Sequence, residues 1–295
     1  SNLWRRLLGA WNKRRDLGGN VAALVLERLV RLAVGLLVSG LLARHLGEQG
    51  FGQLSFGLSI GAIGLAVASV GLDQVLVSDI ARGAGRSMRI LYAALILRAM
   101  VCIPMLLAVW LWLRVTEAES LALFVLASTG MGAVIGMPSL WFNARGQARV
   151  VAIVQTGVFL VASGIRLALI TWHAPLLAFA WVALGEMIFS GALLAGLWRI
   201  EVKKLGVSFM VRWSRRICVR LIRRGAPWWG AAVCVIIFTR FDQILLQRLA
   251  GVAELGIFAA ASRFTEQTYL LPMALAVPML GRLAASSGEA ERMHR

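Results

Sequence analysis

Residues 27 to 52 read ERLVRLAVGLLVSGLLARHLGEQGFG. The apolar run is long enough to cross a bilayer, yet it carries Glu27, Arg28 and Arg31. An arginine at the centre of a membrane helix costs about 2.5 to 3.5 kcal/mol on insertion scales, so such residues are expected to face a protein interior or a watery cavity. The run then breaks into RHLGEQGFG, residues 44 to 52, where Gly47, Gly50 and Gly52 permit a tight hairpin between two helices. The stretch therefore predicts two consecutive membrane helices with charge placed on an inward face.

The rest of the chain agrees with that reading. Of its 295 residues, 59% are hydrophobic and only 15% are charged, with a mean hydropathy of +0.78. Soluble domains carry about 25% charged residues. Taking roughly 20 apolar residues per crossing, eight segments qualify, at about 21–43, 52–77, 89–113, 120–142, 149–172, 175–198, 226–247 and 255–280. None alternates polar with apolar residues as a barrel strand does, so the expected fold is an all-α polytopic membrane protein of about eight transmembrane helices.

A net charge of +17 would suggest nucleic acid in a soluble chain. Here most of the basic residues fall on one side of the predicted spans: Arg5, Arg6, Lys13, Arg14 and Arg15, then Arg82, Arg86 and Arg89, then Arg145 and Arg149, nine between residues 199 and 224, and Arg282, Arg292 and Arg295. Only Arg44, Arg114 and Arg248 fall on the other side. This is the positive-inside pattern; it places both termini in the cytoplasm and makes nucleic acid unnecessary as a partner. Cys102, Cys218 and Cys234 have no metal-like spacing and form no disulfide framework, so neither metal nor cofactor is expected. His45, His173 and His294 are scattered through loops and a tail, where solvation is the simplest expectation.

Five regions follow. Residues 1–20, with Trp4, Trp11 and five basic side chains, form a basic arm suited to anionic membrane lipids. Residues 21–198 hold six spans, of which the fourth carries Gly130, Gly132, Gly136 and Pro138 and is expected to pack closely or kink there. In residues 199–225, Phe209, Trp213, Ile217 and Leu221 recur every four positions among arginines, predicting an amphipathic linker on the cytoplasmic leaflet. Two further spans occupy 226–281, and 282–295 is a cytoplasmic tail. LLARHLGEQGFGQLSFG at 41–57 resembles LLQRLAGVAELGIFAAAS at 245–262, an offset of about 204 residues. That offset is the size of a six-helix bundle, so the seventh helix is expected to open a second copy of the first bundle.

ERLVRLAVGLL, ARHLGEQGFGQLSFGLS, VGLDQVLVSDIAR and FDQILLQRLAGVAELGIFAAASRFTE, in this order and spacing, resemble the polysaccharide transporter branch of the multidrug/oligosaccharidyl-lipid/polysaccharide exporter superfamily, which includes O-antigen flippases. The resemblance implies a bacterial inner-membrane protein of two six-helix bundles around a central cationic cavity. It further implies outward flipping of an undecaprenyl-pyrophosphate-linked oligosaccharide by alternating access, in company with polysaccharide polymerase machinery. Four to six C-terminal helices of the family's usual twelve to fourteen are absent from this chain, which is then read as a fragment, a split gene product or a non-transporting remnant.

Within the spans lie six arginines, Arg28, Arg31, Arg98, Arg166, Arg240 and Arg263, and five acids, Glu27, Asp73, Glu186, Asp242 and Glu266. Glu27 and Arg31, four apart, and Arg263 and Glu266, three apart, are spaced to pair on one helix face. Arg98 and Arg166 have no acid near them in their own helices; Glu186 could answer one of them from the sixth span. Asp73 and Asp79 are near enough to Arg82 and Arg86 to pair there. Two readings remain open: static ion pairs, or a cationic path for a diphosphate, which the planar guanidinium fork grips bidentately at any cellular pH. On the second, the six arginines bind substrate, while Glu27, Glu186, Asp242 and Glu266 are charge partners or ion-coupling groups.

Other function classes fare less well. A membrane-embedded enzyme would need catalytic groups on the outer side, where the expected loops are short and hold no carboxylate and histidine cluster. No GxxxxGK[ST] loop points to ATP coupling. A multidrug exporter of the same superfamily would call for an acid-dominated cavity. A peptidoglycan-precursor flippase shares the cationic logic and stays open.

Overall fold

The computed structural model describes the backbone of residues 2–81, 84–115, 121–204 and 215–268, with most side chains from residue 28 onward. Every described element is helical. Helix α1 spans Asn2–Ser69, α2 Leu72–Ala81, α3 Ala84–Val115 and α4 Leu121–Ala127; a 3-10 turn at Ser128–Met131 leads to α5 Gly132–Ile135, followed by α6 Met137–Ala144, α7 Ala148–Thr171, α8 Leu176–Lys204, α9 Arg215–Leu249 and α10 Val252–Thr268. The chain divides into two compact units. One is Gly40–Ala260; the other comprises Ser1–Ser39 and Ala261–Arg295.

Six helical stretches among the described residues are long and apolar enough to cross a membrane: Arg28–Ser69, Met88–Trp112, Leu123–Ala144, Ala148–Thr171, Leu176–Lys204 and Arg215–Leu249. The expected eight differ from these six at two places. The first two expected spans fall in one stretch of 42 residues, Arg28–Ser69. The last, 255–280, begins in α10, but residues beyond Thr268 lie outside the described ones. A straight helix of that length would run about 63 Å, twice the hydrocarbon thickness. It is not straight: Gly47 has φ 67° and ψ −178°, and the chain kinks there with helical residues on both sides. The turn expected over residues 44 to 52 is thus concentrated in one residue. That combination of angles is essentially open to glycine alone. Gly47→Ala is therefore expected to cost about 1–3 kcal/mol, read as a lowered melting temperature of the purified protein in detergent.

The second expected span is also cut short. Val70 and Gly71 both take positive φ, 51° and 61°, and separate α1 from α2. The break coincides with a close crossing of α9, since a Cβ on Gly225 would lie 2.8 Å from the Val70 carbonyl oxygen and 3.0 Å from Leu72 Cδ2. Trp229 Nε1 donates to the Val67 carbonyl at 3.1 Å, one turn before the break. The fourth crossing is interrupted as well, by the 3-10 turn and again at Gly136 ahead of Pro138, in line with the glycines and proline that predict a kink there.

The core of Gly40–Ala260 forms around Leu72, Leu76, Leu91, Ala94, Trp141 and Leu194, where α2, α3, α6 and α8 meet. A second cluster joins Phe51, Leu126 and Phe179. The outward faces are apolar too: Met100, Ile103 and Leu107 on α3, Ile153 and Val161 on α7, and Phe238 on α9, which is 86% exposed. Large apolar side chains in such number on an outer surface are unsuited to water and suited to lipid. As for the expected linker, residues 199–204 continue α8, 215–225 form the first turns of α9, and 205–214, with Phe209 and Trp213, lie outside the described residues.

The 204-residue echo reappears in the backbone. Gly47 and Gly251 both have positive φ, 67° and 95°. Five positions after each comes a glycine at a helix crossing. A Cβ on Gly52 would collide with the Val252 carbonyl oxygen, and a Cβ on Gly256 with the Glu48 carbonyl oxygen. Residues 48 and 52 thus meet 252 and 256 reciprocally.

Candidate functional site

The charged residues within the crossing helices are the natural place to look for function, because a bilayer tolerates them only when they are engaged. Arg98, in the middle of α3, is 2% exposed. Its Nη2 donates to Asp73 Oδ1 at 2.5 Å, and its Nη1 to the Ala133 carbonyl at 2.7 Å and to Met137 Sδ at 3.2 Å. The interruption at Gly136 is what makes a backbone carbonyl of the fourth crossing accessible to a side chain. Arg98 therefore ties α2, α3, α5 and α6 together, with its Nε left without a hydrogen-bond partner.

Arg166 of α7 donates from Nη2 to Glu186 Oε2 of α8 at 2.6 Å, and both side chains are partly covered, at 16% and 24% exposure. Both arginines that lack an acid in their own helix thus take one from a neighbouring helix. Asp73 and Asp79, expected to pair with Arg82 or Arg86, are engaged by Arg98 and by Arg224, whose Nη1 reaches both Asp79 oxygens at 2.7 and 2.8 Å; the side chains of Arg82 and Arg86 lie outside the described residues. Arg28 is exposed, and Arg31, Arg240 and Arg263 are partly buried. Asp242 is exposed and accepts the Gln243 backbone N–H at 2.7 Å. The side chains of Glu27 and Glu266 lie outside the described residues, and with them the two same-helix pairs expected from spacing. Arg98, Arg166 and Arg240 belong to Gly40–Ala260, and Arg28, Arg31 and Arg263 to the other unit.

Two contacts had no sequence signal beyond residue type. Gln243 of α9 is 4% exposed, and the Ser59 hydroxyl of α1 donates to its Oε1. His45, expected to be solvated, is partly buried: its Nε2–H donates to the Ala174 carbonyl at 3.0 Å, and its ring lies 5.6 Å from Phe179 and 5.8 Å from His173. A carbonyl oxygen only accepts, so the ring carries a hydrogen on Nε2. Asp79 is 13% exposed against 41% for Arg224, so breaking the contact by Arg224→Ala is expected to cost about 1.5–3 kcal/mol, the worth of a hydrogen bond to a charged group; denaturant titration of the purified protein checks this.

The multiple apolar crossings, outward lipid-facing surface and engaged intramembrane arginines define a multi-pass membrane protein. A family model described as polysaccharide biosynthesis protein matches residues 17–284, and the chain belongs to that family of polysaccharide transporters. No curated protein and no solved structure matches the chain.

Proposed function

We propose that this protein carries an undecaprenyl-pyrophosphate-linked oligosaccharide from the cytoplasmic to the outer leaflet of the bacterial inner membrane by alternating access, for cell-surface polysaccharide synthesis. The observation that carries the reading is the family match over 17–284 on a chain whose apolar helices hold six arginines against five acids. An anionic head group is the cargo such helices suit, and a cationic drug is not. Both termini face the cytoplasm in this reading, the seventh helix opens a second bundle, and the basic residues of 1–20 and 199–225 sit on anionic lipid.

The arginines divide by role. Arg98, sealed in its contacts with Asp73 and Ala133, acts as a strut. Arg28, exposed within its helix, is the first contact for the diphosphate. Arg31, Arg240 and Arg263 continue the path, and Arg166 joins it by exchanging Glu186 for phosphate as the bundles move.

Complementation of a flippase-null strain tests this. Expression of the chain is expected to restore surface polysaccharide, while Arg28→Ala at equal membrane abundance reduces it at least tenfold, the loss of one charge-assisted phosphate contact worth about 1.5–3 kcal/mol. Full transport by single alanine variants at Arg28, Arg31, Arg166 and Arg240 would remove the cationic path.

A further inference from the structure

A cavity of about 440 Å³ lies between α3, the broken fourth crossing and the second half of α8. Its making can be followed residue by residue. Gly191 lets α8 approach α5 closely, for a Cβ there would stand 2.9 Å from the Ile135 carbonyl oxygen. The next residues on that side of α8, Ala192 and Ala195, carry side chains too small to fill the space beyond the contact. Leu91, Leu95 and Val134 close the opposite wall. Four residues past Ala195, and so on the same helix face, Arg199 stands exposed at the end of the groove.

The lining selects the occupant. Apart from Arg199 the walls are almost wholly apolar, with Tyr92 and Trp198 the only other side chains that carry a polar group, and a space at the low end of ligand-site volumes suits a single hydrocarbon chain. At the mouth, Arg199 stands on the helix end that also carries Lys203 and Lys204. The nearby acid, Glu201, is turned toward Arg145, 4.0 Å away, and so leaves Arg199 cationic toward the groove. An apolar slot capped by a guanidinium is complementary to an anionic amphiphile whose phosphate sits beside its chain. We propose that this groove binds one acyl chain of an anionic glycerophospholipid, with its phosphate on Arg199. It is a fixed lipid site within one bundle, apart from the arginines assigned to transport, and does not depend on the transport reading.

The test uses the full chain in nanodiscs containing a trace of phosphatidylglycerol with a photoactivatable acyl chain, and in parallel phosphatidylcholine with the same chain; adducts are mapped by peptide mass spectrometry. Phosphatidylglycerol is expected to label the 188–199 segment of α8 about fivefold more than phosphatidylcholine does, the factor one basic side chain confers on anionic-lipid binding. Arg199→Gln should abolish that preference and Arg199→Lys keep it. Ala192→Phe, which fills the groove from an exposed position, should lower labelling by both lipids without changing the melting temperature. Equal labelling by the two lipids, or labelling untouched by Ala192→Phe, overturns the site. Displacement by undecaprenyl phosphate but not by unlabelled phosphatidylglycerol would also overturn it, giving the groove to a prenyl lipid.

Discussion

Asp73→Ala is expected to destabilise the protein by about 3–5 kcal/mol, more than any other single charge removal among the described residues, because it leaves the Arg98 guanidinium buried without a counter-charge. The two partners are not equivalent. Arg98 is 2% exposed, whereas the Asp73 side chain is 50% exposed. Removing the acid strands a charge in a dry interior, where the Ala133 carbonyl and the weakly accepting Met137 sulfur are the remaining contacts. Removing the base leaves a carboxylate that is half exposed and can protonate or turn outward. Arg98→Met, which keeps most of the side-chain volume, should therefore cost distinctly less than Asp73→Ala, and the double variant should recover much of the loss. Melting temperatures in detergent give the order directly: Asp73→Ala lowest, with Arg98→Met and the double variant above it. If Arg98→Met melted below Asp73→Ala, the pair would not be a strut around a buried cation. Transport measured at matched abundance then separates the roles, for a strut variant that folds should still transport.

How much of this could be read from residues alone depended on the range of the interaction. The membrane class follows from composition and span length, which are properties of the chain and need no tertiary contact. The glycine echo was legible because one backbone requirement, a positive φ before a close crossing, recurs at Gly47 and Gly251 with the same spacing to Gly52 and Gly256. The breaks at Val70–Gly71 and Gly136 were only partly legible. The glycines and Pro138 marked the second, while the first depends on Gly225, over 150 residues away, crossing at that level. Ion pairs were the least legible. The i, i+3 and i, i+4 rules see partners on one helix, and Arg98 and Arg166 take theirs from α2 and α8, a choice made by packing. His45 went unrecognised for the same reason: burial by Phe179 and Ala174 is set by how the α7–α8 turn meets α1, which no local pattern encodes.

The crossing of α1 with α10 carries the second large effect. Gly52→Ala and Gly256→Ala are each expected to cost about 1–3 kcal/mol and to reduce transport, because the added Cβ meets a backbone carbonyl oxygen, which cannot rotate aside as a side chain can. The reciprocal geometry makes a sharper demand than either variant alone. Gly52 abuts residue 252 and Gly256 abuts residue 48, so both clashes are relieved by one movement, the separation of the two helices at this level. Once Gly52→Ala has forced that separation, Gly256→Ala should add little, and the double variant should cost clearly less than the sum of the singles. Gly64→Ala supplies the control: its Cβ would meet Met105 Cε and Sδ, at 2.7 and 3.0 Å, the far end of a flexible side chain that can change rotamer, so a smaller loss is expected. Chemical denaturation of the three single variants and the double in one detergent decides the matter. Strict additivity at Gly52 and Gly256 would mean that the two glycines serve independent contacts and that the crossing is not a single joint. A sub-additive double variant would make the two glycines one joint, and loss of transport in either single would show that transport depends on it.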